Sequence, residues 1–354
     1  MTVRRIAALC ATLVASVLAA ALVPLNGASA AVSYRHMVAL GDSYAAGPLI
    51  PLPRLDPLLC VRSTSNYAAQ LALRLGLLLY TDTTCSGAQT KDMTSAQPLT
   101  IGSHQPQFDA LTADTDLVTI SIGGNDYGVF GTVVGTCPGL AAGDPTGAPC
   151  KAHFTVDGVD TLRAAITRTQ ANITGVLQGI RQRSPRAKVL VVGYPRLVPA
   201  SMRPCEALPL AAGDYPWADS LERALNDAAQ TAASATGATF VDTYTPALGH
   251  DICAGDDAWV NGKDLNLLAA ASYHPFFSGM AAEAVIAYGT LTGQPASAAT
   301  VQAAFDSARA VERKSNANTA KLARILHLKD GSTLSPQARQ ALFPTSVPSL
   351  KFVA

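Results

Sequence analysis

The sequence predicts an α/β fold: a three-layer α/β/α sandwich whose central, mainly parallel sheet has about five strands. Short β-branched runs recur between helical stretches, and the connections leaving the strand ends are long and rich in Pro and Gly. No internal repeat or heptad run interrupts the alternation. Strands that alternate with helices form parallel sheets covered on both faces.

The elements follow in order. Residues 36–40 make the first strand, which ends abruptly in Gly41-Asp42-Ser43-Tyr44. A helical pattern over 67–75 leads to a second strand at 77–81. The third, 116–122, reads Asp-Leu-Val-Thr-Ile-Ser-Ile, and the fourth covers 188–193. A shorter fifth spans 239–241. Helices are expected at 159–183 and 217–235, and a last one after Tyr273-His274-Pro275. The segments 45–63, 127–157 and 195–216 read as irregular loops, each carrying cysteine. They leave from carboxyl strand ends, where open α/β sheets bind ligands.

Composition bounds the function. The chain has 354 residues, 14% of them charged, and a net charge of +1, without the basic stripe of a nucleic-acid binder. In residues 1–30, Arg4 and Arg5 precede an apolar run over 6–23, and Ala28-Ser29-Ala30 follows. That is the layout of a secretory signal peptide, so an extracellular protein with no stable membrane span after cleavage is expected. Beyond the signal and its Cys10 stand six cysteines: Cys60, Cys85, Cys137, Cys150, Cys205 and Cys253. An even number in an exported chain reads as disulfides. Spacing leaves every pairing open, and neighbour pairing is the economical expectation. No Cys-x-x-Cys occurs and no metal site is expected. The main domain is expected at 31–291, with a helical C-terminal extension at 292–354. That extension carries eight Lys/Arg against three Asp/Glu. Such asymmetry can mark a surface-binding tail, but packing on the body is the favoured expectation, with Val301, Phe305, Leu322, Ile325 and Leu326 spaced for one apolar face or two.

Each chemical motif is weak by itself; their order is specific. Gly41-Asp42-Ser43-Tyr44 follows strand one, Ser86-Gly87-Ala88 strand two, and Gly123-Gly124-Asn125-Asp126 strand three, while Tyr273-His274-Pro275 precedes the last helix. This constellation, over roughly residues 38–288, resembles the SGNH (GDSL-type) hydrolases, in particular their secreted actinobacterial lipase and esterase branch. The resemblance implies a flavodoxin-like fold and a serine ester hydrolase that needs no cofactor. It implies Ser43 as nucleophile and His274 as base. It further implies an oxyanion hole made by the Ser43 and Gly87 N–H groups and the Asn125 side-chain amide. The cysteines would pair in sequence order, matching the economical expectation.

One position departs from the family pattern. Three residues before the histidine, where the pattern has Asp, stands Ala271. The imidazole then needs another acceptor for its Nδ1–H. The expected one is the backbone carbonyl of Ala271 or Ser272, with Asp257 or Asp264 as the alternative. Asp42 is read as a turn-stabilising carboxylate. The apolar loop 48–59 has two readings: an acyl-chain groove, or leucines packed beneath a tethered loop. Together with the resemblance it favours fatty-acyl esters, cleaved by a monomer. A phospholipase or carbohydrate esterase is the enzymatic alternative, and a non-catalytic exported binding protein the other.

Overall fold

Alternation along the first strand sets the sheet between two apolar layers. In β1 (His36–Gly41), Met37 and Ala39 belong to one core and Val38 and Leu40 to the other, all four fully buried. The computed structural model describes residues 33–51, 53–77, 79–267 and 269–325, with side chains as far as residue 314. The expected signal segment, with Cys10, and residues 326–354 lie outside the described residues. The remaining strands are β2 (Leu79–Asp82), β3 (Leu117–Ser121), β4 (Lys188–Val192) and β5 (Thr239–Val241). They order as β2-β1-β3-β4-β5, all parallel, which is the flavodoxin-like order.

Eight helices among the described residues surround this sheet: α1 (Ser43–Ala46), α2 (Tyr67–Arg74), α3 (Val129–Gly143), α4 (Pro149–His153), α5 (Thr161–Arg183), α6 (Tyr215–Thr236), α7 (Phe277–Thr292) and α8 (Ala298–Ile325). Helices α2 and α7 cover one face, through Leu71 and Ala284. Helix α5 and the end of α6 cover the other, through Ile173, Leu177 and Ala232. The start of α5 is fixed by Asp160, whose carboxylate accepts from the Leu162 and Arg163 N–H groups.

The segment 127–157 differs from expectation. It is not an irregular loop but holds α3 and α4, joined by the disulfide Cys137–Cys150. Gly131, Gly135, Gly139, Gly143 and Pro138 gave α3 a loop-like composition. Burial of Val129, Cys137 and Ala141 makes it helical, since packing outweighs propensity when the two conflict. Two further disulfides join Cys60 to Cys85 and Cys205 to Cys253. In the C-terminal extension, α8 lies along α7 and buries Val301, Phe305 and Ala308. The side chains of Leu322, Ile325 and Leu326 lie outside those described. Among the described residues, no helix is long and apolar enough to cross a membrane.

Candidate active site

The turn that presents Ser43 is built at the carboxyl end of β1. Gly41 takes φ +137°, and a Cβ there would stand 2.3 Å from the Ser121 carbonyl. Only glycine lets the chain leave the sheet so close to β3. Gln107 grips the same glycine on both sides, accepting from its N–H at 2.7 Å and donating to its carbonyl at 2.9 Å. Asp42 is the N-cap of α1 and accepts from the Tyr44 N–H at 2.9 Å. Ser43 therefore begins a helix, almost wholly buried. Its own N–H has no acceptor among the described residues.

Two further loops stand beside this turn and are tied to each other. The Asn125 amide donates to the Ala88 carbonyl at 3.1 Å, next to Gly87. Asp126 accepts from the Thr90 N–H at 2.8 Å and from Asn172 at 2.9 Å. The Gly87 and Asn125 loops are thus bound together at two points. Gly87, at φ +79°, also has an N–H without an acceptor among the described residues. Gly123 takes φ +116° with Thr169 and Ile173 about where a Cβ would go, so the Asn125 loop sits directly on α5.

His274 arrives from the other side. Its Nδ1 lies 2.7 Å from the Ser272 carbonyl oxygen. A carbonyl only accepts, so Nδ1 carries the proton and Nε2 keeps its lone pair. Of the two carbonyls expected for this contact, that of Ala271 is used otherwise: it accepts from the His274 main-chain N–H and from Asn261. Asp257 and Asp264 are exposed and neither carboxylate is bonded to the imidazole. Tyr273 takes φ +60°, which for a non-glycine residue is strained. That bend brings the Ser272 carbonyl round to the ring two residues on. Burial drives the imidazole pKa down to about 4, opposed by the bond to Ser272.

Two tyrosines connect these parts: Tyr44, whose motif the sequence shows without a role for its side chain, and Tyr194, which no motif marks. Tyr44, beside the serine, donates to the Tyr273 carbonyl at 2.6 Å, and its ring lies 5.3 Å from that of His274. Tyr194 donates to Asp42 at 2.6 Å, while its hydroxyl accepts from the Gly124 N–H at 2.8 Å. One phenol thereby joins the serine turn to the Asn125 loop. Burial raises the Asp42 carboxyl to about 7, against the hydrogen bonds from Tyr194 and Tyr44. A Tyr following strand four carries no local pattern that would mark it. Its partners lie 152 and 70 residues away.

Ser43 lines an open cavity. Its walls are apolar: Val133 and Val134 from α3, Leu208 and Leu210, Leu221 from α6, and Ile252. Of the two readings of loop 48–59, the groove is not supported: among the described residues the loop contributes no wall. That loop buries Ile50 and exposes Leu55 and Leu58, and its Pro48 carbonyl accepts from the Ala271 N–H at 3.0 Å. It props the histidine segment and leaves the groove to α3, α6 and the 197–210 segment. Glu222, at the cavity wall, accepts from the Leu197 N–H at 2.8 Å and so fixes that segment.

The chain is similar to known proteins over most of its length. Residues 39–282 match the model of the GDSL-like lipase/acylhydrolase family. Lipase 2 of Streptomyces coelicolor is 44% identical over 230 residues, 63% of this chain and 75% of that protein. The structure of phospholipase A1 from Streptomyces albidoflavus superposes with a TM-score of 0.59 at 26% identity, covering 74% of this chain and 99% of that one. The extracellular lipase from Streptomyces rimosus gives 0.54 at 27%, covering 73% and 99%.

Proposed function

The chain belongs to the GDSL-like lipase/acylhydrolase family and is a carboxylic ester hydrolase, and on that premise we propose that Ser43 is its nucleophile and His274 its base. Ser43 Oγ attacks the ester carbonyl as His274 Nε2 takes its proton. The developing oxyanion receives the Ser43 and Gly87 N–H groups and the Asn125 amide. His274 then protonates the departing alcohol, and water repeats the sequence on the acyl-enzyme. The Ser272 carbonyl holds Nδ1–H through both half-reactions. It offers a dipole where a carboxylate would offer a full charge, so it fixes the tautomer while stabilising the imidazolium less. Every step uses this chain's own groups, and no cofactor or metal is required.

The observation that carries the substrate class is the apolar cavity beside Ser43. Its apolar lining suits a fatty-acyl chain and offers little to an acetylated sugar. The enzyme acts outside the cell as a monomer. Three disulfides and the extracellular lipase among its relatives support export. The extension 292–354 is an appendage of the hydrolase domain 31–291. The test is hydrolysis of nitrophenyl esters from acetyl to palmitoyl by wild type and Ser43→Ala. Turnover should favour the longer chains, and Ser43→Ala should lose at least about 10⁴-fold in kcat. Turnover independent of Ser43 overturns the mechanism; a preference for acetyl overturns the substrate class. Phosphatidylcholine, run alongside, decides whether the phospholipase A1 likeness extends to the leaving group.

A further inference from the structure

We infer that Glu312, on the C-terminal helix, is a positioning residue for His274; this rests on the assignment of His274 as base. The imidazole is oriented by a carbonyl only two residues away, so its direction follows the path of the main chain from 272 onward. That path enters α7 three residues after His274, and Phe276, at the N-cap, has no side chain able to cap the helix. The cap comes from α8. One Glu312 oxygen accepts from the Ser278 N–H at 3.1 Å, and the other accepts from the Ser278 hydroxyl at 2.9 Å. Both residues are buried, and a carboxylate at a helix N-terminus also meets the favourable end of the helix dipole.

Arg309 completes the grip. Its guanidinium donates to Glu312 at 3.0 Å and stands over the Phe276 ring at 5.1 Å. On the other side, the Phe276 N–H donates to the Trp259 carbonyl at 2.8 Å and the His274 carbonyl accepts from Asn261 N–H at 2.9 Å. The segment between His274 and α7 is thus clamped by main-chain bonds from 259–261 and by one carboxylate from α8. Glu312 lies beyond residue 282, where the family match ends. This chain has Ala271 where the pattern places Asp, and it anchors the histidine's backbone from an element outside the matched region.

The test uses the full chain with Glu312→Ala, Glu312→Gln and Ser278→Ala, assayed well below each melting temperature on the best nitrophenyl ester. Glu312→Ala should lower kcat about 10- to 100-fold, the scale of a small misplacement of a catalytic group, with KM within about twofold. Glu312→Gln, which keeps an acceptor for the Ser278 N–H, should recover most of the loss. The His274 ring proton resonances should move in Glu312→Ala and return in Glu312→Gln. A purely structural role would lower the melting temperature and leave kcat and those resonances unchanged, and that result overturns the inference. Should Glu312→Ala fail to fold, Ser278→Ala, which removes one of the two bonds to Glu312, should lower kcat about 3- to 10-fold and move the resonances, and wild-type values of both in that variant overturn the inference. If turnover instead survives His274→Ala, the base assignment has failed, and the ring resonances still test Glu312.

Discussion

The serine side and the histidine side of the site are held by different kinds of bond. Around Ser43, side chains do the tying: Gln107 on Gly41, Tyr194 between Asp42 and Gly124, Asp126 on Thr90. Around His274 the partners are mostly main-chain carbonyls and N–H groups, from Ser272, Pro48, Trp259 and Asn261. The first arrangement hangs on strand ends and is rigid because several buried polar groups must be satisfied at once. The second depends on chain path. Loss of a carboxylate partner is therefore survivable on the histidine side, where geometry is already carried by the backbone.

The contrast can be broken first at Tyr194. Tyr194→Phe removes one hydroxyl and leaves both Asp42 and the Gly124 N–H buried without it. It should lower kcat about 10- to 100-fold and stability by about 1–3 kcal/mol, measured by ester turnover and denaturant unfolding. An activity equal to wild type would show that the two loops are aligned by their strands alone.

The histidine side is sharpened by pH. A base works when neutral, and burial has moved the His274 pKa from 6.5 down to about 4. The imidazole is thus neutral above about 4 and protonated below, so the acidic limb of kcat/KM should fall near 4. A carboxylate partner would instead hold the imidazolium and raise that limb toward or above 6.5. A pH–rate profile checks it: Asp42 itself stands at about 7, so only a limb near 7 that persists in Asp42→Asn would argue for a carboxylate that approaches His274 in solution. The smallest effect is expected from Asp257→Asn and Asp264→Asn, each of which should keep kcat within about twofold of wild type. A loss of several hundred-fold in either would put an acid back into the site.

The sequence was informative where function depends on local order. Ser43, Gly87, Asn125 and His274 each follow or precede a strand or helix whose pattern is visible, and the strand boundaries differ from expectation by only a few residues. The Ser272 carbonyl was one of two candidates, because the pattern Ala271-Ser272-Tyr273 does not reveal which residue bends; the positive φ of Tyr273 decides it. Helix α3 was hidden by its glycines, since propensity is local and the burial that overrides it is not. Loop 48–59 left a groove open as one of two readings for the same reason. Its leucines are apolar, but Leu55 and Leu58 face outward and the wall is made by helices remote in sequence. Tyr194, Gln107 and Glu312 act across 152, 66 and 34 residues, distances at which no spacing rule applies.

The disulfide between Cys137 and Cys150 gives the cavity a particular character. It closes the connection between α3, which supplies Val133 and Val134 to the cavity, and α4. A wall already folded and covalently fastened has little disorder left to surrender when a substrate enters. On the proposed acyl-chain reading, discrimination between one chain and another comes from how well each fills a preformed surface, with no ordering step to blur the difference. The enzyme would read chain length as a fixed gauge does, by fit.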